Sequence, residues 1–246
     1  MKEDINLEKY RVTADIGGTF TDFVFYNTKT GDFKAGKTMS TPEDLSDAII
    51  HGMSKEFSDF SNIEYFVHGT TCGLNAVLQR KGAKVALITT KGFGDIYEIA
   101  RSNKTELYNM RYRKPKPLIE RSDVFTVDER ILYNGEIEKT IDHDEIRSIA
   151  QIIKQKGYEA VAVCLINSYR YPDHEKEIGV ILNSLLPGVP IALSCVVARE
   201  WREYERTSTV VMNAYIAPIV MNYLQILELR MLKNQYNGRV YIMQSG

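Results

Sequence analysis

At 246 residues the chain is long enough to bury a sizeable core, as one elaborated domain or as two lobes. Hydrophobic residues at 44% and charged residues at 26% are those of an ordinary globular protein, and a formal net charge of −1 gives no electrostatic case for nucleic acid or an anionic membrane. Cys72, Cys164 and Cys195 lie far apart with no CxxC spacing, Met1 to Tyr10 is charged, and no apolar run approaches the ~20 residues of a membrane span, so a reducing, cytoplasmic setting is expected.

The first elements form a hairpin. Arg11 to Ala14 and Phe23 to Tyr26 are β-forming runs, joined through Asp15-Ile16-Gly17-Gly18-Thr19-Phe20-Thr21-Asp22. Gly17 and Gly18 are placed where a turn needs positive φ or where another group approaches the backbone closely. Amides freed of Cβ atoms there can point at a phosphate oxygen, with Thr19 and Thr21 as hydroxyl donors. Asp15 and Asp22 are hard oxygen ligands suited to Mg²⁺. The plainer alternative is a Gly-Gly turn with solvent-facing polar residues, and the two bracketing aspartates argue against it.

Asp32 to Thr38 supplies a third strand. Thr41 is placed as the N-cap of the next helix, with Pro42 at its first position, Asp44 in the capping-box place, and Leu45, Ala48, Ile49 and Met53 on its apolar face. Ile63 to Val67 reads as a buried strand, Asn75 to Lys81 as a helix stopped by Gly82, and Lys84 to Thr89 as a strand. Three antiparallel strands followed by alternating helix and strand is the order of an RNase H-like half, the unit of the actin and sugar-kinase superfamily, here with an inserted α/β lobe.

Residues 92–141 are irregular, basic from Arg111 to Lys116 and broken by Pro115 and Pro117; they read as part of that inserted lobe. Asp142 to Lys156 predicts a helix with Ile146, Ile149, Ile152 and Ile153 inward and Gly157 at its end, and Ala160 to Ile166 a central parallel strand. A helix over Asp173 to Leu186 and a strand over Ile191 to Leu193 follow. Thr207 to Lys233 is a long helix that Pro218 kinks or divides, and Val240 to Met243 a last strand. The implied segments are 1–91 with the phosphate loop, 92–200 as the inserted lobe, and 201–246 as helix and final strand.

Further polar corners complete the inventory. His68-Gly69-Thr70-Thr71 stands between strand and helix, where α/β proteins place ligand-binding groups, although Thr70 and Thr71 are equally suited to capping. Cys72 reads as a small buried residue. Lys91 is placed to meet phosphate and Arg101 a substrate carboxylate, or else both are surface charges. The hydroxyls of Tyr204 to Thr209 head the long helix, and capping is their default role. His51, His143 and His174 lack metal-binding spacing.

Together these segments resemble the hydantoinase/oxoprolinase family, in the N-terminal region of its ATP-using A subunit. The resemblance runs through Asp15 to Asp22, His68 to Ala76, Leu87 to Asp95, Glu98 to Arg101, Asp128 to Arg130, Ala160 to Ser168, His174-Glu175, Tyr204 to Thr209, Asn213 to Tyr215 and Met243 to Ser245. It implies an ATP-dependent cyclic-amide hydrolase that activates its substrate by phosphorylation, with ATP and Mg²⁺ as cofactors. Asp15, Gly17, Gly18, Thr19, Thr21 and Asp22 are then the first phosphate loop, with Asp15 and Asp22 as metal ligands. Thr70 and Thr71 stand near the nucleotide, and His68 and Arg101 join the aspartates as candidate catalytic residues.

The family pattern continues Met-Gln-Ser-Asn-Gly-Gly, whereas Gln244-Ser245 is followed here by Gly246. The second phosphate loop and the adenosine site are therefore expected in a C-terminal lobe beyond this sequence, and a B-type subunit is the expected partner. A ketone carboxylase subunit of the same family, a sugar- or acetate-type kinase, and a non-catalytic binding module are the competing readings.

Overall fold

The computed structural model describes residues 8–41, 44–101 and 104–243. The chain divides into two compact units, Met1–Asn75 with Val220–Gly246, and Ala76–Ile219. These boundaries differ from the three expected segments: β5 (Val85–Thr90), expected beside the phosphate loop, pairs in parallel with β6 (Val124–Val127) and β9 (Ala160–Cys164). The stretch expected to be a separate lobe thus shares one sheet with β5 and supplies that sheet's other three strands.

The first unit is built on β1 (Tyr10–Ile16), β2 (Phe20–Asn27), β3 (Phe33–Met39), β4 (Ile63–Thr70) and β11 (Arg239–Ile242), in the order β11-β4-β1-β2-β3. β1 to β3 are antiparallel neighbours, whereas β4 runs parallel to β1 and β11 parallel to β4. One face packs Val12, Ala14, Ile16, Phe23, Phe25 and Phe66 against α1 (Leu45–Ser54) and the Tyr223, Leu227 and Met231 stripe of α7 (Glu203–Lys233). The N-cap of α1 is Asp44, which accepts from Asp47 N, rather than Thr41. Pro42 lies outside the described residues.

α2 (Cys72–Leu78) begins three residues before its expected start and ends before Gly82. That glycine serves packing instead. A Cβ there would stand 1.9 Å from the buried Tyr215 ring.

The second unit holds the sheet β10-β9-β5-β6, with β10 spanning Ile191–Leu193. Its central strands are buried throughout, as parallel strands covered on both faces must be. α4 (His143–Gln155) and α5 (Asp173–Leu185) cover one face. Ile152 of α4, expected inward, is 38% exposed, because Ile146, Ile149, Ala150 and Ile153 already fill that stripe. Gly157, at φ 64, ends the helix as predicted.

α7 starts at Glu203 and stays helical through Pro218, so the proline does not divide it. Contrary to the sequence expectation, α7 is long and apolar enough by length and composition to cross a membrane. Its apolar residues are used within the protein: Val210, Val211, Ala214 and Tyr215 in one core, Tyr223, Leu227 and Met231 in the other.

Candidate functional site

Alternation along β1 and β2 decides which side chains can meet a ligand. Val12, Ala14 and Ile16 turn into the core with Thr21, Phe23 and Phe25, so Asp15 and Asp22 stand on the open face. They are direct cross-strand partners, which puts their Cα atoms roughly 4.5–5.5 Å apart. Two like charges so placed repel. Lys37, the β3 partner of Asp22, offsets part of that with its Nζ 3.0 Å from Asp22 Oδ1, while the ion pairs among the described residues include none to Asp15.

Gly69 pairs with Asp15 from the other side. A Cβ at Gly69 would stand 3.2 Å from Asp15 Oδ1 and 3.3 Å from Met243 Cε, so the carboxylate lies over bare backbone. The chain leaving β11 arrives at the same place, with Met243 N donating to His68 O at 2.9 Å. Met243, Gly69, Asp15, Asp22 and Lys37 thus form a strip across the sheet. Among the described residues no group of three or more His, Cys, Asp and Glu is arranged as a metal cage. Two adjacent carboxylates nevertheless fit Mg²⁺, which is commonly held by one or two carboxylates together with phosphate oxygens and water.

The loop between the strands is held from below. Ser40 N donates to Thr19 O at 2.9 Å, Ser40 Oγ donates to Gly17 O at 2.8 Å, and Ser40 Oγ lies 3.0 Å from Thr21 Oγ1. Thr21 is fully buried in that contact, so it fixes the loop from the core side, while Gly18 and Thr19 are exposed. Neither glycine takes positive φ; a Cβ at Gly17 would stand a tight 3.0 Å from Phe20 O, and Gly18 faces open space. Thr70 Oγ1 accepts from Cys72 N at 3.2 Å and caps α2, and Thr71 Oγ1 lies 3.5 Å from Ile16 O.

The structure does not bring all the predicted residues to one place. β4 extends through Thr70, so His68 is a strand residue, paired with Ala14 and turned to the core. It stacks on Phe66 at 5.4 Å and its Nδ1 lies 3.3 Å from Tyr223 OH, while Nε2 has no partner among the described residues. Burial lowers its pKa to about 4, and the ring is neutral at physiological pH. Burial likewise raises the Cys72 thiol, which fits a packing residue rather than a nucleophile. Arg101 belongs to the other unit, where its Nε donates to Glu205 Oε1 at 2.7 Å.

Sequence reasoning missed a buried polar network in the second unit. Glu129 accepts from Thr90 Oγ1 and contacts His174 Nδ1 at 2.7 Å. Glu175 accepts from Leu165 N, Ser194 Oγ and Cys195 N at 3.0, 2.8 and 2.6 Å, and Arg206 donates to Ser194 Oγ, Glu200 O and Leu165 O. One signal was available: Glu175, Ile178 and Leu182 share a helical face, which turns the acid inward with two core residues. Five of the family-like motifs, those containing Thr90, Glu129, Leu165 with Ser168, His174-Glu175 and Arg206, therefore meet in one satisfied scaffold.

Family models for the hydantoinase/oxoprolinase N-terminal region and for hydantoinase/oxoprolinase match residues 11–186 and 206–246. The chain belongs to the hydantoinase/oxoprolinase family. An uncharacterised protein of Methanocaldococcus jannaschii is 42% identical over 96% of this chain and 35% of its own length. The acetophenone carboxylase gamma subunit of Aromatoleum aromaticum is 33% identical over 86% of this chain and 31% of its own. The crystal structure of the ATP-dependent caprolactamase from Pseudomonas jessenii superposes with a TM-score of 0.80 at 28% identity, covering 96% of this chain and 35% of that one. The chain thus spans about a third of the length of the relatives it matches.

Proposed function

We propose that the chain is the ATP-binding N-terminal part of an ATP-dependent cyclic-amide hydrolase, with the loop from Asp15 to Asp22 as its first phosphate site. The observation that carries this reading is the open-face strip. Two cross-strand carboxylates flank an exposed Gly18-Thr19 tip, over a glycine that leaves room and beside the exit of β11. The strand order β11-β4-β1-β2-β3, with β2 antiparallel and β4 and β11 parallel to β1, supports an RNase H-like half of the actin and sugar-kinase kind. In that reading the remaining two thirds of the relatives' length carries the second phosphate loop, and a B-type subunit completes the enzyme.

Asp15 and Asp22 would hold Mg²⁺, which when bound would neutralise phosphate charge. The protein's own contribution is alignment: the loop tied down by Ser40 and Thr21 offers a fixed backbone surface to phosphate oxygens. An amide oxygen attacking the γ-phosphorus displaces ADP and gives a phosphorylated imidate; one water adds at the carbon and the ring nitrogen leaves as a tethered amine, giving an acyl phosphate, and a second water releases phosphate and the carboxylate. The ketone-carboxylase reading keeps its place because the acetophenone carboxylase subunit is similar at 33% identity. Calorimetric titration of the chain with Mg-ATP, alone and with the remaining region supplied, tests the proposal. Asp15→Asn abolishes any heat of binding if it holds. Nucleotide binding or substrate-independent hydrolysis unchanged by Asp15→Asn would sink it.

A further inference from the structure

We infer that the open edge of β11 receives an extended strand from the region that makes up the rest of the relatives' length, of which this chain covers 35% in the caprolactamase structure. The inference rests on the proposed reading that such a region completes the enzyme.

The two edges of the first sheet are built differently. β3, at one edge, carries Lys34 and Lys37, held to Glu56 and Asp22 at 2.7 and 3.0 Å, and edge lysines discourage pairing with another strand. β11, at the other, reads Arg239-Val240-Tyr241-Ile242, with its three apolar residues 38%, 45% and 46% exposed. No lysine guards it. Met243 N donates to His68 O, so in a parallel ladder Arg239 and Tyr241 also turn their amides and carbonyls to β4. Those of Val240 and Ile242 then point outward, and among the described residues no strand pairs with them.

A groove of about 560 Å³ runs along this edge, between β11 and the last turns of α7. Buried Leu227, Met231 and Tyr236 form its floor, and exposed Leu232, Val240 and Ile242 its walls. Side chains alternate along a strand, so every second residue of the incoming segment faces this groove and is apolar. Glu228 is the one acid in the lining. The ion pairs that α7 makes among the described residues use Glu203, Glu205, Arg206 and Arg230 and leave it out. A lysine or arginine on the incoming segment meets that charge. The occupant is therefore an apolar strand with a cation beside it, and the long unmatched part of the relatives is its source.

The test compares this chain with a chimera in which it replaces the matched third of the Methanocaldococcus jannaschii relative, 42% identical over that part. Each carries one added thiol: Leu232→Cys or Ile242→Cys in the groove, or Phe33→Cys, 77% exposed on β3, as the control. In the chain alone a maleimide labels all three above the parent's background. In the chimera the two groove thiols slow about tenfold, and Phe33→Cys keeps its rate. Hydrogen exchange gives a second reading that needs no substitution. The Val240 and Ile242 amides exchange fast in the chain alone, whereas the strand aligned with β11 in the intact relative is protected at every residue. Unchanged groove labelling in a folded chimera, or fast exchange of alternate amides in that strand of the intact relative, would overturn the inference. Protection in the chain alone that grows with its concentration would do the same, by assigning the edge to a second copy. A covered edge without any Mg-ATP response upholds the inference and counts only against the ATP reading.

Discussion

Two polar regions of this protein are written in the same residue types and do opposite things. In the second unit Glu129, Glu175, His174 and Arg206 are almost wholly buried, and both oxygens of each glutamate have partners. In the first unit Asp15 and Asp22 stand exposed on a sheet face, opposite one another, and among the described residues only Lys37 pairs with either of the two negative charges. A saturated network has no capacity left for a ligand, and its worth is architectural. Unsaturated like charges held together by a ladder are a cost to folding, and such costs persist where a ligand repays them.

The largest effect should come from breaking the saturated region. Glu175→Ala strands the Leu165 and Cys195 amides and the Ser194 hydroxyl, and Arg206→Met frees Leu165 O and Glu200 O; each should cost about 3–5 kcal/mol. Urea unfolding of the second unit measures this. A loss below about 1 kcal/mol would place these residues with the functional group instead.

His68 lies between the two cases, a buried polar side chain with one ring nitrogen unpartnered among the described residues. Its pKa falls from 6.5 to about 4 on folding, so the unfolded chain binds more protons between those values and stability rises with pH there. The contribution is whole above about pH 6.5 and drains away as pH falls toward 4, by roughly 3 kcal/mol in all. Comparing urea midpoints of the parent and His68→Leu from pH 4 to pH 7 isolates it: the parent's advantage should shrink on acidification. Parallel pH profiles would contradict the buried neutral ring.

Packing without charge gives a smaller effect. Gly82→Ala puts a methyl against the Tyr215 ring, and the buried ring must move, at about 1–3 kcal/mol. Thermal unfolding reads this directly, and an unchanged midpoint would mean that Tyr215 relocates freely.

What was legible in the sequence follows the range of the forces. The β1–β2 hairpin, the buried β9 run and the α4 stripe were readable because alternation and helical spacing are local. Alternation alone puts Asp15 and Asp22 on one face, so their placement on the open side of the hairpin was within reach of the sequence. His68 was not placed, because continuing β4 by three residues decides which face it takes, and pairing with β1 and β11 sets that continuation. Nor was the use of Glu129, His174, Glu175 and Arg206 readable, since hydrogen bonds between residues up to 45 positions apart close that network. The Gly82 role depends on Tyr215, and no local signal reports it.

The smallest stability effect carries the sharpest version of the contrast. Asp15→Asn removes a charge that repels its cross-strand partner and has no cation paired to it among the described residues, so stability should hold or rise by up to ~0.5 kcal/mol. Asp22→Asn differs, because it also gives up the Lys37 contact, a solvent-exposed pair worth little, and should stay near neutral. Urea unfolding and Mg-ATP calorimetry on the same samples decide the matter together. A variant that is no less stable yet loses nucleotide response shows a carboxylate kept for its ligand, whereas a clear loss of stability would move Asp15 to the side of Glu175, among the residues that hold the fold.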